Sequence, residues 1–345
     1  MNFFAMKGKR ITQAGTASPV APFLNKHKPW VSVICTCYNQ AAYVQESLGS
    51  VVAQTYPNVE LIVIDNGSSD NSAAQIRAFC AQHPAVKFIR NKTNRGLCRA
   101  FNQGLALAIG QYVIDLAADD VLLPHRITRQ VDQFSSLPTY YGVVFSNAVY
   151  INETGEFLRH HYPVRPNGRT TERVPTGDIF QDILLHYFIN TPTMMMRRDM
   201  LTALGGYDES LAYEDFDLWV RSARSYRYAY LDEVLTWKRV LPNSMGQQVL
   251  RTDNVLLESS WRVCQKAYAL CQTTGEFEAL ADRIRGFVRK CFYAEQYGLA
   301  QKFGQLLGQI EPPGLATRLV LILCRLHLPV NGMYRRYRLA TTIIE

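Results

Sequence analysis

No stretch of this chain is apolar enough to cross a bilayer. The longest aliphatic run, residues 319–323, falls far short of the about 20 residues a spanning helix needs. No CxxC pair occurs among the eight cysteines, which leaves a zinc site without support and favours structural thiols in a reducing compartment. Neither GxGxxG nor a Walker A sequence is present. A nucleotide bound here would be held by carboxylates, amides and a metal, not by a glycine-rich phosphate loop. Charged residues make up only 19% against 48% hydrophobic, which excludes a disordered chain. The absence of a dense Lys/Arg run or a known binding motif argues against a nucleic-acid partner. The N-terminus lacks the apolar core of a secretory signal. Residues 1–28 are expected to be a mobile leader and the protein cytoplasmic.

What is present is a basic, folded chain of 345 residues, enough for one large domain or two. Its net charge is +8, and residues 250–345 hold 13 Lys/Arg against 8 Asp/Glu. That excess suits phosphate-bearing ligands or anionic lipid headgroups.

Val31–Cys37 is a near-continuous apolar run, as in a strand buried on both faces. Its Cys35 and Cys37 are expected on opposite sides. Val44, Leu48, Val51 and Val52 at helical spacing predict a helix over 41–54. A strand over 59–64 leads into the turn sequence Asp65-Asn66-Gly67-Ser68-Ser69-Asp70 and a helix over 71–82. Residues 86–90 form a third strand. Asn94-Arg95-Gly96 opens a helix that includes Leu107 and ends at Gly110. Tyr112-Val113-Ile114 is a fourth strand, running into Asp119-Asp120 before Pro124 opens the next helix. This alternation predicts a parallel, doubly wound α/β sheet. Right-handed crossovers gather its strand ends on one edge, where such sheets bind ligands. Residues 36–39, 65–68 and 119–120 should therefore line one cleft. Adjacent carboxylates repel unless a cation or donor lies beside them, so Asp119-Asp120 is either a metal site or a solvated turn.

Beyond the fourth strand the pattern changes. A strand over Tyr141–Ile151, a polar segment over 156–175, a helix over 178–188 and a short strand over 193–197 are expected. Glu214, Asp215 and Asp217 lie in the first turn of a helix, where carboxylates match the positive end of the dipole. Residues 226–240 give one or two further strands, and helices follow over 248–272, 276–307 and 315–327. The stretch 316–328 is apolar on most sides, with Arg318 and Arg325 on one face, and three arginines follow within 334–338, so that 316–338 forms a basic amphipathic end. Such an end can lie on the inner face of the cell membrane, pack on the domain, or meet a second subunit.

The apolar strand ending in Tyr38-Asn39, the helix closing on Gln54-Thr55-Tyr56-Pro57-Asn58 and the strand ending in Asp65-Asn66-Gly67-Ser68-Ser69-Asp70 resemble the opening of inverting family-2 glycosyltransferases of the GT-A fold, of the bacterial cell-surface polysaccharide type. Asn94-Arg95-Gly96-Leu97 is similar to the next family block. Asp119-Asp120 falls at the family's DxD metal motif. Gly205-Gly206-Tyr207-Asp208-Glu209, Glu214-Asp215 and Asp217-Leu218-Trp219-Val220-Arg221 resemble its acceptor-side block.

The resemblance implies an open, mostly parallel Rossmann-like sheet over 29–245. Its nucleotide-sugar half is 29–135, its acceptor half 136–245, and a helical region follows over 246–345. It implies inverting transfer of one sugar from a nucleotide-diphosphate sugar to a glycan or lipid-linked acceptor. By the same resemblance Thr36, Tyr38, Asn39, Asp65, Asn66, Arg95, Asp119 and Arg239 bind the donor. Asp119 and Asp120 hold Mn²⁺ or Mg²⁺, Asp215 is the general base, and Glu214, Gly206 and Trp219 lie on the acceptor side.

Three departures bear on this. Ala117 replaces the first DxD carboxylate, Asn66 replaces the second Asp of Asp-Asp-Gly, and Trp237-Lys238-Arg239-Val240-Leu241 stands where Tyr-Arg-x-His is usual. The first of these motivates an alternative, a non-catalytic nucleotide-sugar-binding or scaffold relative. A sugar-phosphate nucleotidyltransferase would want a glycine-rich, basic loop after the first strand, and 35–40 is not one. The QxxRW of processive synthases is absent, which favours transfer of a single sugar.

Overall fold

The computed structural model describes residues 28–242, 251–334 and 336. The expected leader, apart from Lys28, and the first residues of the helix expected from 248 lie outside them.

The first half follows the sequence pattern. Strands β1 (Val31–Cys37), β2 (Val59–Asp65), β3 (Lys87–Arg90) and β4 (Tyr112–Ala117) are joined by α1 (Val44–Val52), α2 (Ser72–Gln82) and α3 (Leu97–Leu105). They pair in parallel in the order β3-β2-β1-β4. The third helix stops at Leu105, leaving Leu107 exposed. Cys35 and Cys37 share one face of β1 with Val31 and Val33, because a strand's period of two returns residue i+2 to the same side. The expectation of opposite sides is therefore corrected.

From there the chain gives β5 (Val121–Leu122), α4 (Arg126–Ser135), β6 (Tyr141–Ile151), β7 (Phe157–His160), α5 (Phe180–Leu185), β8 (Met195–Arg197), α6 (Arg198–Ala203), α7 (Asp215–Ala223) and β9 (Arg227–Arg239). These strands extend the sheet as β4-β8-β6-β9-β5, with β7 on β6. Antiparallel pairs join β8 to β4 and β6, while β6 and β9 run parallel. The result is an open α/β sheet with flanking helices. The 226–240 segment is one strand, and α6 had no separate signal in the sequence.

The C-terminal helices are α8 (Leu256–Leu270), α9 (Thr274–Tyr293), α10 (Tyr297–Ile310) and α11 (Leu315–Arg325). The single helix expected over 276–307 breaks because Glu295 takes φ 57°. Its N–H reaches Phe292 O, and the next N–H turns back to Cys291 O. Such a left-handed residue closes a helix. Leu257, Cys264, Leu280, Ile284, Phe287 and Phe303 are buried in the same core cluster as Ile34, Val113 and Met196 of the sheet. Each such side chain stabilises by about 1.5–3 kcal/mol, so the tail is part of the fold's core.

Candidate active site

Strand register builds the cleft edge. Cys37 is level with Asp65 and Thr36 with Ala117, so β1, β2 and β4 end side by side. The ladder continues one step past them, with Asn66 N–H donating to Cys37 O and Ala118 N–H to Thr36 O. Tyr38 and Asn39 then emerge into solvent. Asn39, at φ 55°, accepts the Ser69 N–H at 2.8 Å, and its own N–H donates to Ser68 Oγ at 3.0 Å. The first two loops are thereby tied together.

Asp65 is fully buried. Its Oδ1 accepts the Ser68 N–H at 3.1 Å, while Oδ2 lies 3.4 Å from Arg90 Nε without receiving a hydrogen bond. The proximity is an ion pair without directed donation, so the buried Oδ2 has an unused acceptor position. Asn66 is committed instead. Its amide donates to Asn94 Oδ1 and Gly96 O, and its Oδ1 accepts from Asn91 Nδ2 and the Arg95 N–H. A carboxylate could not make the two donations, which accounts for Asn at this position. Gly67 at φ 76° lets this turn press against the Thr93 backbone, where a Cβ would lie 2.4 Å from the carbonyl carbon. Arg95 itself is exposed at the rim.

Asp119 and Asp120 part company. The Asp119 carboxylate is half-buried; burial raises its pKa, opposed by its own amide, Gln40, Lys238 and Arg239. Asp120 turns inward, where its Oδ1 accepts the Arg239 N–H at 2.9 Å. Burial pushes it up to about 8, and the buried Arg126 nearby is pushed down to about 9.

Arg239 has a different task from the one expected. It is 5% exposed, and its guanidinium donates to Asp119 O, Asn152 O, Glu153 O and Glu46 Oε2 while stacking over Tyr43. With those donors spent, it clamps the Asp119 loop to α1 and the 152–153 turn. Its neighbour Lys238, on the opposite side of β9, is half-buried, with Nζ 6.0 Å from the centre of the Tyr150 ring. Its charge acts on Asp119, Asp120, Glu214 and Asp215 together. Strand alternation next to Arg239, and the arginine usual at this motif position, were the signals that point to it.

Across the cleft α7 begins at Asp215. Its Oδ1 accepts the Phe216 N–H at 2.5 Å, and Thr191 Oγ1 lies 3.5 Å from Oδ2, at the limit of a hydrogen bond. Burial raises the Asp215 pKa, opposed by the Phe216 amide, Lys238, Thr191 and Arg283. Glu214 is raised well above the ordinary range, by burial first and then by Asp215 and Asp115, and its Oε2 has no partner. Asp115 on β4, absent from the motif reading, is buried and accepts the Tyr207 O–H at 2.9 Å; burial lifts it to about 7. Both side-chain atoms of Asn190, one residue before Thr191, are likewise buried without partners.

Trp219 and Gly206 do not reach this surface. Trp219 is 1% exposed and donates to Met194 Sδ at 3.3 Å, because the inner face of α7 points into the core. Gly206, at φ 74°, is a backbone device. A Cβ there would lie 2.5 Å from Asn102 Oδ1, and its carbonyl accepts from Arg221. Helices from the tail hold α7 from behind. Lys266 bridges Asp208 and Asp217 at 2.6 and 2.5 Å, and Arg283 donates to Ile183 O and Leu184 O while lying over Phe216.

The family model for glycosyl transferase family 2 matches residues 32–205, half of the chain. An uncharacterised glycosyltransferase of Rickettsia prowazekii is 30% identical over 80% of this chain and 85% of its own length. The chain spans only 65% and 40% of the lengths of relatives from Rickettsia typhi and Rickettsia bellii. Among solved structures, Staphylococcus aureus TarS residues 1–349 in complex with UDP-GlcNAc has TM-score 0.63 at 17% identity, over 89% of this chain and 92% of that one. The Pyrobaculum calidifontis mannosyltransferase PcManGT, solved with GDP-Man and Mn²⁺, has TM-score 0.54 at 19% identity, over 92% and 84%. At these identities the likeness is one of fold. By the family match and the Rickettsia prowazekii relative together, this chain belongs to glycosyl transferase family 2.

Proposed function

We propose that the protein transfers a single sugar, with inversion, from a nucleotide-diphosphate sugar to a hydroxyl of a glycan or lipid-linked acceptor in cell-surface polysaccharide synthesis. The observation that carries this reading is the single strand edge on which β1, β2 and β4 end side by side, bringing Asn39, Asp65 and the Asp119 loop together, with the charge of Lys238 favouring the ionised forms of both Asp119 and Asp215. A departing diphosphate needs positive charge near it.

The unbonded Asp65 Oδ2 suits the imide N–H of a uracil, which favours a UDP-sugar, with Thr36, Tyr38 and Asn39 walling the nucleotide pocket. Arg95 and Lys238 would meet the diphosphate. Mn²⁺ or Mg²⁺ would be held by Asp119, since Asp120 turns inward and accepts the Arg239 N–H. No group of three His, Cys, Asp or Glu suited to a metal occurs among the described residues. A single carboxylate with substrate phosphates and water is an ordinary set for a hard cation. When bound, the ion would neutralise charge on the leaving diphosphate.

Asp215 would take the proton from the acceptor hydroxyl as that oxygen attacks the anomeric carbon on the face opposite the diphosphate. Its raised pKa makes it the stronger base. Glu214 Oε2 and the Asn190 amide, both buried without partners, would meet sugar hydroxyls if the site opens to the acceptor. The test is a panel of UDP-, GDP- and dTDP-sugars with Mn²⁺, assayed for released nucleoside diphosphate. Turnover of one donor that Asp215→Asn abolishes while UDP still binds supports the reading. Release from none of them sinks it.

A further inference from the structure

Helix α11 presents two unlike faces. Thr317, Leu321 and Cys324 recur at i, i+4 and i+7 and point inward; Thr317 and Cys324 are buried, and Leu321 packs on Gly304 of α10. Leu315, Leu319, Ile322 and Leu326 follow the same period on the opposite side. They are exposed at 85, 57, 51 and 64%. Leu328 and Met333 continue the exposed apolar surface beyond the helix. A contiguous patch of this kind on a folded protein marks an interaction surface.

Its charge says what covers it. Arg318 and Arg325 flank Ile322 at i−4 and i+3, both exposed, and neither forms an ion pair among the described residues. Arg336 is also exposed. No aspartate or glutamate occurs between Pro312 and Arg336. A twofold contact with a second copy would set these arginines against one another without a carboxylate to answer them, and isologous contacts must be self-complementary. An anionic lipid surface answers both features. Leucine and isoleucine enter the headgroup boundary, and arginine pairs with lipid phosphate.

We infer that the α11 face, Leu315, Leu319, Ile322 and Leu326 with Arg318 and Arg325, docks the protein on an anionic membrane surface. The helix lies in the interface plane and does not cross it, since no helix among the described residues is long and apolar enough to span. This inference does not depend on the donor chemistry, because α11 supplies none of the residues assigned to the cleft.

Co-sedimentation of the full chain with vesicles tests it. The wild type should pellet with phosphatidylcholine vesicles containing phosphatidylglycerol, remain in solution with pure phosphatidylcholine, and be released by salt. Arg318→Gln and Arg325→Gln should each weaken partition about fivefold. A Leu319→Glu/Ile322→Glu double variant should remove it. All four positions are exposed, so melting temperature should stay at the wild-type value, which separates loss of binding from loss of fold. Two results overturn the inference: failure of the wild type to bind phosphatidylglycerol vesicles, or a dimer in sedimentation velocity that the double variant converts to monomer.

Discussion

Carboxylates line both edges of the cleft, and the fold treats the two edges differently. On the donor edge, Asp65 and Asp119 stand at strand ends where backbone amides and amide side chains reach them. On the acceptor edge, Asp115, Glu214 and Asp215 crowd together against helices of the tail, and burial raises all three pKa values. Burial raises the Asp119 and Asp120 carboxyls as well, so the edges differ in their polar partners and not in desolvation alone. Under the proposed function one edge would hold a charged ligand and the other would accept a proton.

The largest effect expected is on the acceptor edge. Asp215→Asn keeps the shape and removes the base, and should lower kcat by about 10²–10⁴-fold with the UDP affinity from calorimetry unchanged. An equal loss of UDP affinity would erase the distinction between the edges. Asp119→Ala should cost about a hundredfold or more in kcat/KM and raise the Mn²⁺ concentration needed for half-maximal activity.

Neighbouring residues on β9 sharpen the contrast. Lys238→Ala should raise donor KM and lower kcat about tenfold or more with little change in stability. Arg239→Ala leaves the buried guanidinium site empty and the part-buried carbonyls of Asp119, Asn152 and Glu153 without their donor, and should destabilise by about 1–3 kcal/mol in denaturant titration. If the two phenotypes exchange, the assignment of cation and clamp is reversed.

The smallest effect is a pH signature. Asp115 has a folded pKa of about 7, above an unfolded value near 3.9. Its stabilising contribution is therefore complete below pH ~4 and lost as pH rises through ~7. Asp115→Asn retains an acceptor for Tyr207. It should raise Tm at pH 8 by about 2–4 °C and leave it unchanged at pH 4. In the same direction, the raised Asp215 pKa places the acidic limb of kcat above the ordinary aspartate range.

Much of the donor edge was legible because its information is local. Strands β1, β2 and β4 are apolar runs close to their turn signals, and Val31–Cys37 and Tyr141–Ile151 coincide with their expected bounds. The acceptor edge was legible only where a motif marked it, at Glu214-Asp215. The resemblance put Trp219 on the acceptor side, yet helix phase turns it into the core. Asp115 belongs to no motif, and its meaning depends on Tyr207, 92 residues away.

The sequence by itself determined the alternation of strands and helices, the edge at which the strands end, and which residues emerge there, because pattern and turn chemistry act over short spans. Only the tertiary structure decided that Arg239 reaches back 193 residues to Glu46 while Lys238 lies over Tyr150. The same holds for Asp120 turning inward and for the tail helices sharing the core and bracing α7. The physical reason is common to all of these. Which polar group is buried, and beside which partner, is set when distant segments pack.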